Sequence, residues 1–172
     1  MLRISRQTDY GVFLMTIFGR EEVGKLISAR DLVARTQLPL PMVSKILKGL
    51  ARNGILESQR GVHGGYYLSR PADQLSVSEI IEAIDGPIAI TECVDEETGC
   101  RFKSVCPMHS NWSRINMAIA SALSDVTLAQ MCDWDRPMPR LNLGKAFGNG
   151  SIGNGRTAAA PLSDGSQQEP NS

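Results

Sequence analysis

Cys93, Cys100, Cys106 and His109 lie together in one short stretch of the chain. Six residues separate the first two cysteines, five the next pair, and two lie between Cys106 and His109. Thiolates are soft donors, and both zinc and iron–sulfur clusters normally take four protein ligands of this kind. Structural zinc sites usually contain cysteines only two to four residues apart, a spacing this stretch lacks. A cluster spans more space and tolerates wider gaps. An iron–sulfur cluster, 2Fe–2S or 4Fe–4S, is therefore the first expectation and a zinc ion the second. The expected ligands are Cys93, Cys100 and Cys106, with His109 as a candidate for the fourth position and a plain residue at a helix start as its alternative. Segment 93–106 has too few apolar residues to fold around a core of its own and reads as a loop that needs an organiser. Cys132 stands apart and reads as an ordinary buried or half-exposed thiol.

A second set of residues suits DNA. Ser44, Lys45 and Lys48 fall on the polar face of a helical pattern whose other face is Val43, Ile46, Leu47 and Leu50. Donors and acceptors so placed can reach base edges in a major groove. Arg52, at the end of the same pattern, suits a phosphate better than a base. Arg60 and His63 flank Gly61, Gly64 and Gly65, where a tight hairpin could bring an arginine to a minor groove. Ser28, at the head of the preceding helix, and Gly64, in the turn, complete the expected contact set. Any one of these lysines or arginines taken alone is more simply a solvated surface charge; the argument rests on the set.

The elements that must position these groups are legible from periodicity. Tyr10, Phe13, Leu14, Ile17 and Phe18 predict a buried helix over 8–18, capped by Ser5 or Thr8. A second helix follows Ser28, with Leu32 and Val33 inward and Asp31 three residues after the serine cap. Thr36-Gln37-Leu38-Pro39 breaks it. A third helix opens at Leu40-Pro41, where proline is welcome in the first turn, and stops at Asn53-Gly54. Ile55 to Ser58 and Tyr66 to Leu68 then read as the two strands of a hairpin wing. Ser76 to Glu79 has the form of a capping box for a helix that ends at Asp85-Gly86-Pro87. From Asn111 a long helix carries Trp112, Ile115, Ile119, Leu123 and Val126 on roughly one face. Such a stripe calls for cover, and a two-fold dimer along it would match a palindromic operator. The expected fold is mainly α with a small β-hairpin wing: a winged helix-turn-helix over 1–72, a cluster-binding loop and dimerisation helix over 73–139, and a Gly-, Asn- and Ser-rich disordered tail over 140–172.

Charge supports this division. The chain of 172 residues has a net charge of zero, yet residues 1–70 hold 11 basic against 5 acidic side chains, while 71–136 hold 4 against 11. A basic first half is what a phosphate-binding half requires. Arg3, Arg6 and Asp9 follow Met1 closely, so no apolar leader is expected, and no uncharged apolar run reaches the ~18 residues a bilayer crossing needs. A cytoplasmic chain with reduced thiols and no membrane partner is the expectation. Neither paired carboxylates, a nucleophile–base set nor a phosphate-cradling loop is apparent, which argues against an enzyme.

The opening Leu2-Arg3-Ile4-Ser5 with Thr8-Asp9-Tyr10, the run Pro39 to Leu47, the Leu50 to Leu56 junction and the wing Arg60 to Tyr66 resemble the winged-helix regulators that include IscR, NsrR and RirA. The resemblance continues through Ile80 to Gly86 and the three cysteines to the long helix, over about residues 1–132. Cys106-Pro107-Met108, Asn111-Trp112 and Ile115-Asn116 are most similar to the subgroup that regulates the SUF iron–sulfur assembly operon. The resemblance implies a homodimer that binds an iron–sulfur cluster and double-stranded operator DNA, and a repressor is the expected regulator. It also adds a rival fourth ligand, Asp9 of the partner subunit, because some members use an acidic residue of the first helix. A nitric-oxide-sensing repressor of the NsrR type and a zinc-stabilised interaction module are the alternatives.

Overall fold

The computed structural model describes residues 4–92, 94, 100–101 and 105–133. Cys93 and segment 140–172 lie outside the described residues. Helix α1 spans Arg6–Gly19. Ser5 caps it, its hydroxyl accepting the Thr8 N–H at 3.1 Å and donating to Asp85 Oδ1 at 2.9 Å. The inner face of α1 is Gly11, Leu14, Met15 and Phe18, all buried. Phe13 was expected to face inward but is 41% exposed. At 100° per residue it falls on the outer side with Asp9, one turn away, because positions 11, 14, 15 and 18 already define the buried stripe.

Helices α2, Ala29–Thr36, and α3, Leu40–Arg52, form the helix-turn-helix. The Ser28–Asp31 capping box is present in full. The turn between the helices passes through Gln37 at φ 60°, a left-handed conformation unusual for a residue with a Cβ. Proline in the first turn starts α3, as expected, and Val43, Ile46, Leu47 and Leu50 are wholly buried. Gly54, at φ +70°, lets the chain leave the helix and enter the wing.

Strands β1, Leu56–Gln59, and β2, Gly65–Leu68, pair antiparallel with Leu56 opposite Leu68 and Gln59 opposite Gly65. Ile27 adds a short third rung, exchanging both backbone hydrogen bonds with Tyr66 at 2.9 Å. The approach is close: a Cβ on Gly65 would lie 2.7 Å from the Ile27 carbonyl oxygen.

Helix α4, Val77–Asp85, starts at the Ser76–Glu79 capping box the sequence predicts. Helix α5, His109–Ser124, begins two residues earlier than expected. Its apolar stripe divides. Leu123 packs with Val77, Ile81 and Val126 in a small second core, whereas Trp112 and Ile115 are 36% and 39% exposed. Val126, expected on this helix, lies beyond its end, in the turn leading to α6. The α5 helix stops because Thr127 caps a new one, α6 over Leu128–Cys132, through a Thr127–Gln130 box. That last helix was not expected. Leu128 is wholly buried in the main core with Leu14, Leu50, Leu75 and Ile80. Its N–H donates to the Leu75 carbonyl at 2.7 Å, and Val77 N–H donates to Val126 at 2.9 Å. Cys132, as expected, is a half-buried thiol; it leans on the Thr16 carbonyl at 3.5 Å, and burial pushes its pKa up. No helix among the described residues is long and apolar enough to cross a membrane.

The capping box of α4 yields a pH signature. Glu79 accepts from the Ser76 N–H at 2.9 Å and from Arg70 at 2.8 Å. The backbone bond from Ser76 comes first, and with the Arg70 contact it holds the Glu79 carboxyl below its ordinary 4.5. A carboxylate with a lowered folded-state pKa contributes stability that is present above the unfolded value and fades as the pH falls through the folded one. The melting temperature of Glu79→Gln is thus expected to lie below that of the parent chain at pH 7, with the gap closing below about pH 4. Ser76→Ala, which removes the cap itself, is expected to cost about 1 kcal/mol in denaturant unfolding.

Candidate nucleic-acid interface and thiol segment

The start of α2, the outer face of α3 and the wing enclose an open groove of about 500 Å³. Ser28, Lys48, Arg60 and Gly64, four of the residues expected to meet DNA, line it. Lys48 and Arg60 are exposed, and neither has a carboxylate partner among the described ion pairs. Ser44 is half-buried and Lys45 exposed on the same helix, outside the groove lining, and His63 is exposed in the wing turn. Ser28 plays a different local part from a free hydroxyl. Its Oγ donates to Asp31 Oδ2 at 2.7 Å and accepts the Asp31 N–H at 3.2 Å. The hydroxyl bond comes first among the causes that lower the pKa of Asp31.

Glycine at 64 is a steric requirement of the wing. A Cβ there would fall 2.4 Å from the Gln59 carbonyl oxygen and 2.9 Å from that of Gly61. Gly61 itself sits at φ +121° and accepts the Gly64 N–H at 3.0 Å. Ser58, Gln59 and Tyr66 also line the groove. Their place follows from the hairpin register, and the polar pair directly before Arg60 is the sequence signal that points to it. The recognition helix is fixed from behind by Asn53, whose amide nitrogen donates to the carbonyls of Gly49 and Ala83, each at 3.0 Å.

Of the expected metal ligands, Cys100 and Cys106 are half-buried free thiols and His109 is the half-buried first residue of α5. The His109 N–H donates to the Cys106 carbonyl at 3.3 Å. No group of three histidine, cysteine or acidic side chains close enough to hold a metal ion occurs among the described residues. Asp9, the rival ligand, is exposed in the first turn of α1. The donors fit a thiophilic group in type: soft sulfur, free of disulfides at 100 and 106, sheltered but not sealed from solvent. The upstream arm of this segment lies against α5, where the Asn116 side chain accepts the Ile90 N–H at 3.1 Å and donates to the Ile88 carbonyl at 2.7 Å.

The chain is similar to known proteins in sequence and fold. The family model described as Rrf2, iron-dependent transcriptional regulator, matches residues 4–134. The chain is 28% identical over 130 residues to the HTH-type transcriptional regulator IscR of Yersinia pseudotuberculosis, covering 76% of this chain and 79% of that protein. Among solved structures, CymR, the global cysteine regulator of B. subtilis, matches with a TM-score of 0.61 and 25% identity over 79% of this chain and 100% of that one. The IscR of T. potens matches in fold with a TM-score of 0.58 and 22% identity, over 80% of this chain and 94% of its own.

A phosphate backbone in the groove would meet Lys48 and Arg60 first. Replacing either by alanine is expected to weaken binding to any duplex sequence and to lower the slope of log affinity against log salt by about 0.9 per lost phosphate contact. Fluorescence anisotropy across a salt series measures both. An unchanged slope in both variants would remove these two residues from the interface.

Proposed function

The chain belongs to the Rrf2 family of iron-dependent transcriptional regulators, and from that premise we propose that its binding to operator DNA is controlled by an iron–sulfur cluster. The single observation carrying this reading is the placement of the thiol segment: Cys100 and Cys106 are free, and Cys106 runs directly into α5. The family is one of DNA-binding regulators, not enzymes. Cys93, Cys100 and Cys106 would hold the cluster, with His109 or Asp9 of the partner subunit at the fourth position. When bound, the cluster supplies an oxidant-labile cross-link between stretches of chain that have no core of their own.

The rest belongs to the chain. α5 connects the thiol segment to α6, and α6 sits in the core beneath α1. A two-fold dimer along the exposed Trp112–Ile115 half of α5 would set the distance between two grooves. Half-sites must lie about 34–36 Å apart on the duplex, so a change in α5 alters how well both grooves engage at once. A tenfold change in operator occupancy requires only about 1.4 kcal/mol between the two forms. Repression of SUF cluster-assembly genes is the output we assign, on the likeness of Cys106-Pro107-Met108 and Asn111-Trp112 to regulators of that operon.

Protein purified without oxygen is expected to be coloured, with charge-transfer absorption and equal iron and acid-labile sulfide. Cys106→Ala is expected to lose the colour and to bind operator DNA with an affinity that no longer changes on chelator treatment. A colourless protein carrying one zinc per chain would overturn the cluster reading and leave the DNA-binding half standing.

A further inference from the structure

We propose that Asn116 is a positioning residue that clamps the upstream arm of the thiol segment to α5 and thereby governs how long a cluster is retained; this rests on the cluster reading above. The side chain of Asn116 is half-buried and reads two backbone groups at once. It donates to the Ile88 carbonyl at 2.7 Å and accepts the Ile90 N–H at 3.1 Å. These groups flank Ala89, and they are the pair a neighbouring β-strand would take. A carboxamide is the one short side chain that offers a donor and an acceptor side by side in a plane.

The clamp places both arms of the thiol segment on one helix. The downstream arm joins α5 covalently, with Cys106 three residues before His109. The upstream arm is held at Ile90, three residues before Cys93 in sequence. Asn116 lies seven residues beyond His109, about 10 Å along the axis at 1.5 Å per residue. Three residues of extended chain span at most about 10 Å. Both arms can therefore bring their cysteines to one place without either anchor moving.

Loop shortening is not the reason the clamp matters. Closure entropy grows only logarithmically with loop length, so moving the anchor from the end of α4 to Ile90 changes it little. What the two bonds fix is the direction in which the arm leaves α5. The Ile88 side chain packs against the small core of Val77, Ile81 and Val126, which gives the arm a second, apolar hold. Losing the amide therefore frees the backbone beyond Ile88 without unfolding the helices.

The test compares the full chain with Asn116→Ala and Asn116→Asp. Hydrogen exchange on metal-free protein is expected to show the Ile90 amide roughly tenfold faster in Asn116→Ala, the factor two modest hydrogen bonds support, while amides of α1 and α3 keep their rates. After anaerobic reconstitution with ferrous iron and sulfide, loss of visible absorbance to a chelator is expected to be several-fold faster than in the parent chain. Asn116→Asp keeps the size and the acceptor but sets a carboxylate against the Ile88 carbonyl; it should lose the cluster as fast as the alanine variant, whereas a space-filling role would leave it like the parent. Equal loss rates in all three proteins would overturn the proposal. Failure of the parent chain to take up iron and sulfide would instead overturn the cluster reading, and the retention role of Asn116 with it, leaving the Ile90 exchange rate as the separate record of the clamp.

Discussion

Helix α1 is packed from several sides, by α3, α4, α6 and the strand β2, and the rest of the fold is built around that packing. Gly11 has no Cβ, and one built there would stand 2.1 Å from Ile84 Cδ1; its absence lets α4 lie close across α1. Leu14 and Met15 are wholly buried, in one core with Ile46 and Leu47 of α3 and Leu128 of α6. Interiors packed to crystal-like density transmit displacement instead of absorbing it. The angle at which α3 faces the groove is consequently tied to α4 and α6, the two elements that bracket α5 and the thiol segment.

The two chemistries occupy different parts of this frame. The groove is built from backbone-defined features: a helix start, a glycine turn that excludes Cβ atoms, and a recognition helix pinned by Asn53 to α4. The thiol segment depends on side-chain reach and on α5. Charge follows the same partition, with the basic excess in residues 1–70 and the acidic excess after it. An acidic second half disfavours docking of that half on a polyanion, whereas the basic first half favours it.

Much of this was legible in the sequence because local chemistry imposes residue types at fixed spacing. A capping box needs an oxygen at the cap and an acid three residues on, and Ser28–Asp31 and Ser76–Glu79 both meet that need. The wing showed itself in the glycines, and α3 in its opening proline and four-residue apolar face. What failed was tertiary. Phe13 and Leu14 are adjacent and equally apolar, and the packing of α3, α4 and α6 on α1 decides which is buried. Val126 continued the α5 stripe in sequence, while Thr127 and Gln130 were already starting α6, a helix of five residues with no periodic run to reveal it. Asn116 pairs with residues 26 and 28 positions away, and Gln59 and Tyr66 reach the groove through strand register. Neither relation can be read from local pattern alone. The cysteines were legible as donors by type, whereas their mutual arrangement is a property of the folded chain.

The burial of Leu128 bears on how the protein is made. The core that supports the recognition helix includes a residue from the last described helix, so the apolar face of α1 is not fully covered until position 128 has left the ribosome. At about 5–20 residues per second, that interval lasts several seconds after the wing has emerged. During it the nascent chain already carries its helix-turn-helix but lacks the side chain that seals it. A polypeptide interrupted before position 128 therefore leaves part of its apolar core uncovered, the kind of surface on which chaperones and proteases act.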